Sequence, residues 1–225
     1  MKKIVIAVLA AGVLAFSAFA DGTKIKGLSF SLPVSSKTWN VDWFDAYDDD
    51  DYIDVDSDSV SFDVNYNSMS VSSGKDWGFS FLFNVGAGYT STTLSSEKSS
   101  VDLDLTGGNV NLKFGWGVAP RCRENIIFAV HGFIAVDGSY VEGTKLNTDY
   151  NAVDIDFMIG GDCFCVIPLS KGFGLTLGLD IGVNAAGAGV LRSSTGDDDD
   201  DSGDTFTYSG SGVTVTPRLG ICWIK

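Results

Sequence analysis

Between Trp77 and Tyr89 the odd-numbered positions read Trp77, Phe79, Phe81, Phe83, Val85, Ala87 and Tyr89, while the even ones read Gly78, Ser80, Leu82, Asn84, Gly86 and Gly88. Alternation of period two is the pattern of a β-strand with two unlike faces. The polar face lacks the Lys, Glu and Arg of a strand wetted by bulk water and is built mostly of glycine and other small groups, which suits a crowded enclosure. The bulky side is therefore read as facing outward into lipid, and the small side as lining the lumen of a narrow barrel.

The same pattern along the chain predicts eight strands. The first runs from about Ile25 to Val34, with Leu28, Phe30, Leu32 and Val34 on one face; the second runs from Ser59 to Val71, with Val60, Phe62, Val64 and Tyr66 followed by a slip of phase. After the third, Trp77 to Tyr89, the fourth carries Val101, Leu103 and Leu105, crosses Gly107 and Gly108, and resumes on the other parity through Val110, Leu112, Phe114, Trp116 and Val118. A glycine-marked bulge is the expected cause of that change. The remaining four are Ile126 to Val136, Ala152 to Ile167, Phe173 to Val183 and Phe206 to Trp223. Pro33 and Pro217 remove ladder donors from the first and last strands, so each is expected at a bulge or a strand end.

Connections two, four and six are short: Ser72 to Asp76, Ala119 to Glu124 and Pro168 to Lys171. Connections one, three, five and seven are long and hydrophilic: Ser35 to Asp58, Thr90 to Ser100, Asp137 to Tyr150 and Leu191 to Thr205. An even number of antiparallel strands with every long connection on one side is how a bacterial outer-membrane barrel is built.

The N-terminus fits that destination. Lys2 and Lys3, an apolar run from Ile4 to Phe16, and the closing Ala18-Phe19-Ala20 form a Sec-type signal peptide over residues 1–20, cut after Ala20, with the barrel over 21–225. Without the leader, 13 basic side chains face 29 acidic ones, a net of −16, which excludes nucleic acid as a partner. Cys122, Cys163, Cys165 and Cys222 show no zinc spacing; all fall toward the short-turn end, where one or two disulfides are allowed.

In strand number, alternation and loop lengths the chain resembles the small eight-stranded outer-membrane barrels of the OmpA-transmembrane-domain, OmpX and OmpW type. That resemblance implies an all-β, antiparallel up-and-down transmembrane barrel in contact with outer-membrane lipid, with a plugged polar interior or a narrow channel. It also implies roles in adhesion, envelope stability or passage of small hydrophobic solutes.

Parity assigns Asp63, Lys113, His131, Asp154, Asp156, Asp180 and Arg218 to the lumen. An eight-stranded barrel is only wide enough for side chains to fill, so these are read as a hydrogen-bonded, ion-paired plug; the functional alternative is a cation-selective pore. His131, the single histidine, has no Ser or acid beside it on its own strand, and its bland role is structural. Trp77, Trp116, Phe173 and Trp223, from four strands, fall at the short-turn end of the outward face, as an interfacial girdle would.

Aspartates crowd two long loops: Asp42, Asp45, Asp48 to Asp51, Asp54, Asp56 and Asp58 in the first, Asp197 to Asp201 and Asp204 in the last. Asp54, Asp56 and Asp58 open like a calcium loop but lack its glycine and bidentate glutamate, leaving weak divalent-cation binding as the candidate role. Val101 to Leu105 is expected to project as an extracellular hairpin able to meet a partner protein. The leading function is thus a non-enzymatic surface or envelope barrel without cofactor. The alternatives are a conduit for small hydrophobic or cationic solutes, a lipid-modifying hydrolase or acyltransferase acting through His131, and a secreted soluble β-protein with its apolar face inward.

Overall fold

In a computed structural model, residues 22–42, 53–72, 77–96, 99–120, 126–195 and 205–225 are described; the leader, Cys122 and the Asp197 to Asp201 run lie outside them. The strands are β1 (Thr23–Ser31), β2 (Val34–Asp42), β3 (Ile53–Val71), β4 (Trp77–Ser96), β5 (Ser99–Pro120), β6 (Ile127–Lys145), β7 (Thr148–Ser170), β8 (Phe173–Thr195) and β9 (Thr205–Ile224). β1 and β2 are one stave interrupted at Leu32-Pro33, since both pair antiparallel with β3 on one side and β9 on the other. With each remaining strand paired to its chain neighbours, the sheet closes as an eight-stave up-and-down barrel.

Closure survives both prolines. Ser31 pairs with Arg218 and Val34 with Val215, so the register is unchanged across the gap. Pro33 and Pro217 sit across the same seam, and the ladder there is kept by Leu32 N–H donating to the Pro217 carbonyl (3.1 Å) and Ser61 N–H to the Pro33 carbonyl (2.9 Å).

The direction of the faces is as the alternation predicts. Leu177, Leu179, Ile181, Val183, Leu219 and Ile221 are exposed on the outer wall, while Gly86 and Gly178 are turned inward, where a methyl group would lie 2.1 Å from Asn65 Oδ1 and 3.1 Å from the Arg218 guanidinium. A soluble protein with a dry apolar centre is thereby overturned. Phe81, on the parity of the outer wall, is buried and packs edge-on against Trp116 (5.9 Å between centroids).

Three sequence expectations are corrected. First, much of the long connections is strand: β2 and the start of β3 occupy most of Ser35 to Asp58, and β6 and β7 run through Asp137 to Tyr150 to a two-residue turn at Leu146-Asn147 (φ 52° and 64°), the geometry of a tight hairpin. Strands of 19 to 23 residues exceed by far the roughly 9–11 that a bilayer requires, so the barrel wall projects beyond the membrane.

Second, Gly107 and Gly108 hold no bulge. Tyr89 pairs with Gly108 and Thr90 with Gly107 in unbroken register, and the shift in this pair of strands lies farther out, between Leu94 and Ser96. Apolar residues change parity because their surroundings change: below Gly108 they face lipid, whereas above it Leu103 and Leu105 face inward and are buried. Third, the slip at the end of β3 has the same cause at the opposite end, where Met69 and Val71 turn into an apolar plug with no register shift. A further irregularity on the loop side of the wall is in β8, between Asn184 and Ala188, and it shifts the pairing with β7 between Phe157 and Met158.

Candidate functional site

The lumen is stacked in layers. At the short-turn end Ile25, Met69, Val71, Leu82, Ala119, Ala129, Phe164, Val166 and Cys222 form an apolar floor. At the projecting end Trp39, Leu94, Leu103, Leu105, Val141 and Ala152 form an apolar roof. Polar side chains from every stave fill the space between.

Directly above the floor lies an ion-paired network. Lys113 Nζ contacts Asp180 Oδ2 (2.5 Å) and Asp162 Oδ2 (3.2 Å), and the Arg218 guanidinium contacts Asp180 Oδ1 (2.7 Å) and Asp162 Oδ2. His131 Nδ1 lies 3.1 Å from Asp162 Oδ1 and its Nε2 lies 2.8 Å from Ser80 Oγ. Arg218 reaches Asn67 Oδ1 at 3.3 Å, and Asn67 is bonded in turn to Asn84 (2.8 Å) and Ser29 (2.7 Å). The aromatic rings of Phe133 and Phe164 cover the network from above and below, with Lys113 Nζ 5.1 Å and Arg218 Cζ 5.3 Å from their centroids. Two carboxylates thus meet two basic side chains, and the charges balance in a place that water reaches poorly.

Between this network and the roof is a cavity of about 100 Å³, lined among others by Lys37, Trp39, Asp63, Asn109, Asp137, Ser139, Asp154 and Asp156. Lys37 Nζ is paired with Asp156 and lies 3.5 Å from Asp154. Asp63 accepts from Asn109 Nδ2 (2.9 Å) and Asn111 Nδ2 (3.2 Å). Ser139 Oγ donates to Asp154. Lys113, Asp180 and Arg218 form the base of this chamber, and above them four carboxylates face the single cation Lys37.

The structure therefore gathers Lys113, His131, Asp180 and Arg218 in one layer and Asp63, Asp154 and Asp156 in another. Asp162, Lys37 and Asp137 were not read from the sequence, and Ser80 was placed on the lumen face without a role in the network. Asp162 shares the parity of Asp154 and Asp156, but Gly160-Gly161 breaks the apolar alternation before it. Lys37 and Asp137 fall in segments expected to be loops. Strand parity continued through those segments would have found them.

Asp54, Asp56 and Asp58 lie on β3, exposed on one face, where successive same-face side chains stand about 7 Å apart along a strand. Asp56 accepts from Thr38 Oγ1 (2.9 Å), and no group of three metal-ligating side chains is gathered among the described residues. Trp77, Trp116, Phe173 and Trp223 are on the outer wall near the short-turn end; Phe173 pairs directly with Trp223, and Trp77 packs edge-on against Phe79 (5.1 Å). A second outward row, Phe62, Tyr89 and Tyr140, is linked by register through Gly108 and marks where the wall turns from apolar to polar. Cys163 and Cys165 face outward and Cys222 faces the floor, so neither outward thiol can bridge Cys222 through the wall.

No protein-family model matches the chain, and no curated protein matches it in sequence. Solved structures do. The outer membrane protein OprG of Pseudomonas aeruginosa superposes with a TM-score of 0.61 at 7% identity, covering 91% of this chain and 96% of that one. The outer membrane protease OmpT of Escherichia coli superposes at 0.50 and 6% identity, covering 91% and 97%. Identities so low carry the fold alone. Together with the exposed apolar belt between two aromatic rows, they show that the chain has the fold of the small outer-membrane β-barrels.

Proposed function

We propose that the protein is a closed, non-conducting barrel of the outer membrane that serves envelope structure or surface interaction through its projecting, acidic wall. The observation that supports this reading is the layering of the lumen: among the described residues an apolar floor and an apolar roof bracket a charge-balanced network, an arrangement that opposes a wetted path from end to end. Export by the leader over residues 1–20 belongs to the same reading, as does an extracellular protein partner for the paired extension of β4 and β5. Planar-bilayer recording of the folded full-length chain tests it. The expected trace is silent, and steady unit conductance would refute closure.

An enzymatic reading draws on Ser80, His131 and Asp162, whose contacts follow the order of a Ser-His-Asp relay. All three are buried, at 2%, 1% and 1% exposure, and Asp162 is already paired with two cations. A nucleophile needs room for a reacting carbonyl and donors for its oxyanion. Ser80 instead sits at the floor beside Leu82, outside the cavity lining. The relay supports the wall in this reading, and the protease neighbour lends only its fold.

A further inference from the structure

We infer that the chamber between the ion-paired network and the roof is a binding site for a small cation rich in N–H donors, of the primary-ammonium class. Five carboxylates, Asp63, Asp137, Asp154, Asp156 and Asp180, line a space of about 100 Å³ together with three cationic side chains; Lys113 and Arg218 are engaged at its base by Asp180 and Asp162, which leaves Lys37 alone to face the other four acids. Two buried oxygens on this lining have no hydrogen-bond partner, Asp137 Oδ1 and Asn109 Oδ1. Both are acceptors, on residues one rung apart across the β5–β6 ladder, where Asn109 pairs with Ser139 and Asn111 with Asp137. The orphan donor on the same lining, Arg218 Nε, belongs to the ion-paired network below, packed over Gly178. Buried acceptors without donors, beside excess negative charge, call for a ligand that both donates hydrogen bonds and carries positive charge.

Lys37 shows what the chamber accepts: its ammonium already sits between Asp154 and Asp156 as a tethered example of the class. A bare metal ion fits poorly, since no three carboxylates converge at ligating distance among the described residues. The volume admits a group of a few heavy atoms, and a quaternary ion of that size brings no N–H donor to the two orphan acceptors. The inference concerns occupancy, so it stands or falls independently of whether the barrel conducts.

The test uses the full chain folded in detergent micelles, its folding checked by heat-modifiable gel migration, and titrates methylammonium, sodium and tetramethylammonium chlorides at constant ionic strength. The readouts are the heat of binding and the fluorescence of Trp39, which lines the chamber. Methylammonium is expected to give a saturable response that the other two do not. Asp137→Asn should weaken it by roughly tenfold or more, the worth of one hydrogen bond to a charged group. Lys37→Met, which vacates the seat between Asp154 and Asp156, should strengthen it by a similar factor, and this variant carries the test should Asp137→Asn fail to fold. Equal responses to all three cations, an absent response in the wild type, or a Lys37→Met affinity equal to the wild type would each overturn the inference and leave the chamber to water.

Discussion

Replacing Asp162 with asparagine removes one charge from the centre of the lumen and almost no volume. The carboxylate is 1% exposed and touches Lys113, Arg218 and His131. After the change Lys113 and Arg218 share Asp180 alone, leaving one positive charge uncompensated in a layer closed by Phe133 and Phe164. Breaking a buried pair by deleting one partner costs about 3–5 kcal/mol. Three contacts at roughly 1.5–3 kcal/mol each would exceed that, but asparagine keeps one acceptor oxygen, so the lower part of the range, about 3 kcal/mol, is expected.

The second arm separates charge from shape. Lys113→Met in the Asp162→Asn background restores one cation to one carboxylate, so the double variant should be more stable than the sum of the two single losses predicts, with a coupling of roughly 1–3 kcal/mol. Equilibrium unfolding in urea from lipid vesicles, followed by tryptophan fluorescence, measures both quantities. A loss below about 1 kcal/mol for Asp162→Asn, or strict additivity in the double variant, would show that the layer is wetted and the charge argument wrong.

Leu177, 44% exposed in the lipid-facing belt, should cost about 2–4 kcal/mol when changed to Arg, whereas Thr93→Arg on the polar wall above the Tyr89 row should stay within about 0.5 kcal/mol in the same urea assay. Gly86→Val places its first carbon 2.1 Å from Asn65 Oδ1 and must push that amide off Ser31, a loss of about 1–3 kcal/mol read from the unfolding midpoint. In folded protein a membrane-permeant maleimide should label the outward Cys163 and spare Cys222 in the floor, and mass spectrometry of tryptic peptides decides it. Labelling of Cys222 before unfolding would contradict the closed floor.

The barrel was legible from β4 and β8 because their alternation is uninterrupted from Trp77 to Tyr89 and from Phe173 to Val183, and the direction of the faces from the glycines on the face opposite to Phe81 and Leu177. Strand ends were not legible. Trp39, Leu103, Leu105 and Val141 sit on the parity opposite to the lipid-facing residues of their staves, so a rule that keeps apolar side chains on one face reads them as bulge or loop. Physically the wall passes through two solvents. Hydrocarbon wets its outside in the membrane, and water does so above it, where apolar groups can escape only inward. The same blindness hid Lys37 and Asp137, and with them the acidic chamber. The ion-paired layer was half legible, because parity gives the ring of inward residues but cannot say which of them lie at one height.

Height is what the polar lumen specifies. Alternation forbids a one-residue slip between staves, since that would turn every leucine inward, but it tolerates a slip of two, which leaves both faces intact. Against such a slip the wall offers size complementarity at single rungs: Asp63 leans over Gly88, Asn65 over Gly86, and Arg218 over Gly178, each filling the space a methyl group would take. A shift of β4 by two residues against β3 that brings Asn84 to the rung of Gly86 would part it from Asn67, to which it donates a hydrogen bond, and set Leu82 opposite Asn67 instead. The same shift would move Ser80 away from His131, and one of β8 against β9 would separate Asp180 from Arg218. Since Asp162 and Asp180 on β7 and β8 must meet Lys113 on β5 and Arg218 on β9, correct register in four staves is a condition for neutralising the buried charge. Hydrocarbon decides which way the strands face; the charges and glycines within decide at what height they close.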